Sequence, residues 1–133
     1  MRARISRTTL EQIMTAAAVS GEEICGLLLG EGMDIAEVHP APNVAADRAR
    51  HFEIDPATLI AAHRAAREGG ASVLGHYHSH PSGIALPSAT DVASASPDGS
   101  LWLIVGGGQA TLWRAEAGEA GKVRFASITL DSR

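Results

Sequence analysis

Four things are scarce in this 133-residue chain, and each scarcity excludes a class of protein. There is one cysteine, Cys25. No disulfide can form within the chain, and a reducing compartment is the expected setting. Aromatic residues make up only 4%, so the core has to be built mainly from Ala, Val, Leu and Ile. Lys and Arg are never clustered and the net charge is −4. A nucleic-acid partner needs a basic face, and none is expected here. No apolar run approaches the ~20 residues that span a membrane. The basic start Met1-Arg2-Ala3-Arg4 is not followed by the apolar stretch of a signal peptide. A cytoplasmic protein without a membrane or nucleic-acid partner is the expectation.

What is present fits one ordinary globular domain spanning residues 1–133. Ser6 caps a predicted helix over roughly 7–19, with Leu10, Ile13, Met14 and Ala17 on one face. Ile24 to Leu29 reads as a buried strand, with Asp34 to His39 as its hairpin partner. Phe52-Glu53-Ile54 alternates as a short strand. Asp55-Pro56 opens a second helix that Gly69-Gly70 stops. Ser72 to His78 is a strand, and Ser88 opens a short helix to about Ala95. Leu101–Val105, Gln109–Glu116 and Lys122–Leu130 are strands divided by glycine-rich turns. Gly106-Gly107-Gly108 follows a strand without a helix behind it, so a hairpin turn is expected rather than a phosphate cradle. Strands come both as neighbours and separated by helices. The fold class is therefore α/β, a single mixed β-sheet flanked by helices.

The chemistry sits in Gly75-His76-Tyr77-His78-Ser79-His80-Pro81 and Pro87-Ser88-Ala89-Thr90-Asp91. His78 and His80 are two apart on a strand, so they share a face about 6.7 Å apart and can converge on one ion. Asp91, one turn into the helix that Ser88 starts, can add a carboxylate. Three protein ligands leave a fourth position open, as in catalytic rather than structural sites. Nitrogen and oxygen donors suit zinc without excluding iron or manganese. His76 shares that face, but about 13 Å of strand separates it from His80. Asp91 is the better third ligand, with His76 a neighbour. Hydrolysis also needs a proton-transfer group. Glu22 and Glu23 point to opposite sides of a strand start, and spacing does not say which faces the metal. Ser88 and Asp91 also read as a helix capping box, compatible with a metal role. Cys25 reads as a small core residue.

Glu23-Ile24-Cys25-Gly26-Leu27-Leu28-Leu29-Gly30, then His78-x-His80-x7-Ser88-x-x-Asp91, resembles the JAMM (MPN+) metalloprotease family, matching its signature at every position. Asn43 to Asp47 and Phe52 to Pro56 resemble its short prokaryotic members. The resemblance covers about Ile13 to Trp113. It implies an MPN/JAMM-like, cytidine-deaminase-like architecture, and one Zn2+ per chain held by His78, His80 and Asp91. It implies Glu23 as general acid/base and Ser88 as support for the oxyanion. It implies a peptidase or isopeptidase acting at the C-terminal Gly-Gly of a small ubiquitin-like sulfur-carrier protein. Two alternatives stand beside it. One is a catalytically silent MPN-type binding module. The other is a radC-like DNA-repair metalloprotein, which His80-Pro81-Ser82-Gly83 resembles.

Overall fold

A computed structural model describes residues 1–133. Seven strands and three helices follow the order β1 (Arg2–Ile5), α1 (Arg7–Ala18), β2 (Cys25–Glu31), β3 (Asp34–Ala41), α2 (Pro56–Arg67), β4 (Ser72–Ser79), α3 (Ala89–Ser94), β5 (Leu101–Gly106), β6 (Gln109–Ala117) and β7 (Val123–Ser132). The strands form one mixed sheet in the order β1-β3-β2-β4-β5-β6-β7, which closes on itself as β1 pairs with both β3 and β7. The seam is short, since β1 and β3 share only the pairs Arg4–Asp34 and Ile5–Ile35.

Two expectations are corrected. The first four residues are a strand that periodicity does not reveal, because Arg2-Ala3-Arg4-Ile5 is too short. Its alternation is nonetheless real, with Ala3 and Ile5 buried and both arginines exposed. Phe52-Glu53-Ile54 is not a strand. It contributes one bridge, between Asn43 and Ile54, because the Glu53 N–H is taken by the Asn43 side chain rather than by a strand. Asp55 and Pro56 take the expected cap and first helical positions of α2. The Asp55 side chain makes no bond to the helix backbone and instead accepts from Thr58 Oγ1 at 3.0 Å. Elsewhere the local signals hold. Ser6 Oγ accepts from Thr9 N–H at 3.0 Å. Leu10, Ile13, Met14 and Ala17 face the core.

That core lies between α1 and one face of the sheet, gathering Ala3, Ile5, Ile13, Leu28, Ile35, Tyr77, Leu101, Leu103, Val105, Leu112 and Ile128. The opposite face of β2, β4 and β5 carries Leu27, His76, His78 and Trp102. These pair across the strands as Leu27–His76, Cys25–His78 and His76–Trp102. The pleat of β4 thus sends Tyr77 into the apolar core and the histidines to the other side. The Gly106 to Gly108 turn joins β5 to β6 as a tight hairpin, with Gly107 and Gly108 at φ +59° and +74°. A Cβ on Gly107 would lie 2.5 Å from the Gly83 carbonyl, so only glycine lets the loop after His80 pack there.

No helix is long and apolar enough to cross a membrane. Cys25 is buried, its Sγ–H directed at the carbonyls of Ala41 and Pro42. Burial, with the nearby Glu23 charge, pushes its thiol up to about 11. A thiol that stays protonated is a poor nucleophile. Leu103 is fully buried at the centre of the core. Leu103→Ala is expected to cost about 2–5 kcal/mol in urea unfolding, with the histidine face of β4 left intact.

Candidate metal centre

Three side chains meet at the carboxyl end of β4. The Nε2 atoms of His78 and His80 lie 3.1 Å apart. Asp91 Oδ2 lies 3.3 Å from the first and 3.1 Å from the second. A tetrahedral ion at about 2.0–2.1 Å from each donor keeps the donors about 3.3 Å apart. The three atoms already sit at that spacing. All three residues are buried, His78 completely. His80 Nδ1 sits 2.7 Å from the Ile84 carbonyl. A carbonyl can only accept, so Nδ1 carries the proton and Nε2 turns its lone pair toward the other donors. A metal fits this donor set.

Each donor is delivered by a different local rule. His78 and His80 come from the period of β4. Asp91 comes from the capping box that starts α3. Ser88 Oγ accepts from Asp91 N–H at 3.0 Å, and Asp91 Oδ2 accepts from Ser88 N–H at 2.9 Å. The carboxylate oxygen that caps the helix also faces both imidazoles, and Oδ1 lies 3.2 Å from His78 Nε2. Burial works against its charge. The hydrogen bonds and charges of His78 and His80 outweigh burial and hold the Asp91 carboxyl well below the usual range. Burial lowers His78, the more enclosed ring. His80 is raised, because Asp91, the Ile84 carbonyl and Glu23 outweigh its burial.

The choice between Glu22 and Glu23 is resolved by where they point. Glu22 is exposed and pairs with Arg48 at 2.8 Å. Glu23 is buried, and its carboxylate and the ring nitrogens of His78 and His80 lie within 4.8 Å of one another. Its carboxylate makes no hydrogen bond to either ring, whereas Asp91 Oδ2 lies 3.1 and 3.3 Å from them. Burial pushes the Glu23 carboxyl up to about 7, with His80 opposing and Asp91 and Asp47 adding to the rise. A carboxyl poised there can exchange protons at neutral pH. Glu23 and His80 line a cavity of about 450 Å³ with Ser88, Arg50, Ile84 and Leu86. Ser88 Oγ accepts from Asp91 N–H, and its own O–H has no protein acceptor. His76 joins none of the donors. Its ring packs against Trp102 and Phe52, with centroids 4.3 and 5.2 Å away.

Three supporting residues were not legible in the sequence. Ser79 ties the end of β4 to the start of β2. Its Oγ accepts from Ile24 N–H at 2.9 Å and its N–H donates to the Ile24 carbonyl at 3.0 Å. This fixes Glu23 against His80. Asn43 donates to the carbonyls of Glu23 and His51 and accepts from Ala45 and Glu53 N–H, all within 3.1 Å. Phe52 stacks on the His78 ring. Their partners are distant in sequence, so spacing carries no signal for them.

A buried pair of imidazoles with a carboxylate, faced by a second carboxyl in a cleft, is a donor set that a divalent metal fits. Residues 6–117 match the family model described as prokaryotic homologs of the JAB domain, and the chain belongs to that family. A desampylase from Haloferax volcanii is 37% identical over 67% of this chain and 66% of its own length. A protein from Thermus thermophilus described as a probable TtuB-protein conjugate cleaving protease is 39% identical over 56% of this chain. The match spans 49% of that protein, so the chain aligns with about half to two thirds of these curated relatives. The fold matches a JAB1/MPN domain protein from Archaeoglobus fulgidus with a TM-score of 0.61 and 21% identity, over 99% of this chain and 98% of the other.

Ser79→Ala would leave the half-buried Ile24 N–H without its acceptor. A loss of about 1–3 kcal/mol in chemical unfolding is expected, with faster hydrogen exchange at the Ile24 amide.

Proposed function

We propose that this chain is a single-domain zinc metallopeptidase. It hydrolyses the peptide or isopeptide bond that follows the C-terminal Gly-Gly of a small ubiquitin-like carrier protein. The observation that carries this reading is the spacing of the three donors, 3.1 to 3.3 Å, with the Glu23 carboxyl set back across the cleft. His78 Nε2, His80 Nε2 and Asp91 would hold one zinc ion. When bound, that ion supplies Lewis acidity to the scissile carbonyl and brings the pKa of water toward neutrality.

The remaining steps belong to the chain itself. Glu23 takes the proton of the attacking water and passes it to the leaving nitrogen, a role its raised pKa supports. Ser88 donates its O–H to the oxygen that becomes negative. The Ile84 carbonyl keeps the His80 proton on Nδ1, which leaves Nε2 free for the ion. The substrate assignment rests on the two curated relatives, whose names specify desampylation and cleavage of TtuB conjugates. A Gly-Gly tail is chemically reasonable, because only glycine lets an extended backbone approach a recessed ion closely. The single thiol, buried and unpaired, supports action in the cytoplasm.

The full chain loaded with one equivalent of zinc is expected to cut a carrier–cysteine or carrier–lysine fusion after Gly-Gly. Absence of cleavage across a panel of such carriers would overturn the substrate reading. Protein that keeps less than about half an equivalent of zinc after chelator-free purification would overturn the metal reading. Glu23→Ala is expected to lower turnover by roughly 100- to 10,000-fold while zinc stays bound. Glu22→Ala, on the exposed side, should leave turnover near wild type. The reverse pattern would remove Glu23 from the reaction.

A further inference from the structure

The two histidines of the centre are oriented by different means. His80 has a hydrogen-bond anchor at Nδ1, the Ile84 carbonyl. His78 has none. Its Nδ1 is buried and without a partner. A metal-binding imidazole ordinarily donates its second N–H to a carbonyl, carboxylate or water, which fixes the ring and raises its basicity. Something else has to stop the His78 ring from turning.

Phe52 occupies that place. Its ring lies on the His78 ring with centroids 4.2 Å apart and planes inclined by 17°. Trp102 meets the His78 ring edge-on at 5.8 Å, closing another side. Phe52 is not carried by a strand. It is held by its two neighbours, because Asn43 Nδ2 donates to the His51 carbonyl at 3.0 Å and Asn43 Oδ1 accepts from Glu53 N–H at 3.1 Å. The same Nδ2 donates to the Glu23 carbonyl at 2.9 Å. One amide therefore sets both the wall behind a donor and the strand end that carries the proposed base.

We propose that Phe52 is a positioning residue for the metal centre, fixing the His78 ring by stacking in place of the missing Nδ1 hydrogen bond. The physics favours the ligated state. An imidazole that gives electron density to a cation becomes electron-poor, and the negative face of a phenyl ring attracts such a partner more than a neutral one. Stacking then both holds the ring and favours metal retention.

The inference rests on the metal reading, and the test separates the two. Metal affinity of the full chain is measured by competition with a chromogenic chelator, using zinc and then cobalt, whose d–d absorption reports ligand geometry. Wild type, Phe52→Leu and Phe52→Tyr are compared. Phe52→Leu keeps apolar bulk and loses the plane. It should bind zinc roughly tenfold more weakly and shift the cobalt bands. Phe52→Tyr keeps the plane and should restore both. Phe52→Met provides the same comparison should the leucine variant not fold. A Phe52→Leu protein with wild-type affinity and an unchanged cobalt spectrum overturns the role of Phe52 alone. A wild-type chain that binds neither ion overturns the metal reading and this inference with it.

Discussion

The rest of the site depends on holding two imidazole nitrogens and a carboxylate oxygen about 3 Å apart in a largely buried place. Two residues apart on a strand sets the histidine backbones about 6.7 Å from each other, so the rings must lean together to bring Nε2 atoms to 3.1 Å. Nothing in the strand makes them lean. The Ile84 carbonyl pulls one ring into line and an aromatic wall backs the other. Asp91 completes the triangle from α3. A carboxylate buried this far is costly unless paired and hydrogen-bonded. Here Ser88 N–H and both imidazoles do that.

The barrel supplies the frame. β4 lies between antiparallel β2 and parallel β5, so its backbone is bonded on both sides and its pleat is fixed. Fixing the pleat separates two functions along one strand, with Tyr77 given to the core and the histidines to the site. The end of β4 and the start of β2 run beside each other, which is why a residue 55 positions upstream of His78 arrives at the same cleft. Ser79 secures that junction with a pair of bonds to Ile24. A tie at this point acts on both partners. It holds His80, the next residue, and Glu23, the residue before Ile24.

The parts of this arrangement readable in the sequence are those governed by local rules. A period of two places His78 and His80 together, and a capping box places Ser88 and Asp91. Both rules hold in the structure. The helix face of α1 and the hairpin at Gly107 follow in the same way. The unreadable parts depend on closure in three dimensions. β1 is too short to show a period and exists because β3 and β7 flank it. Phe52 looks like a strand residue, since aromatic alternation is a strand signal. It is instead held at a distance by Asn43, whose four bonds reach three separate stretches of chain. The distinction between Glu22 and Glu23 is of the same kind. Two adjacent carboxylates differ only in what lies opposite, Arg48 for one and the imidazoles for the other.

α3 shows how closely the local and distant rules are joined. A helix of six residues is far too short to be stable by itself. It holds because its first turn is satisfied by the Ser88 and Asp91 side chains and its carboxylate is drawn to the histidines. If Asp91 only capped the helix, its other contacts would be surplus. If it only faced the imidazoles, the helix would lack its start. Because Oδ2 both caps the helix and lies 3.1 Å from His80, while Oδ1 and Oδ2 both lie within 3.3 Å of His78, the two functions are tied to one carboxylate. A substitution that weakens the cap displaces the donor, and one that removes the donor unravels the turn. This shared carboxylate is the reason a pattern as short as Ser-x-x-Asp carries information about chemistry and not merely about where a helix begins.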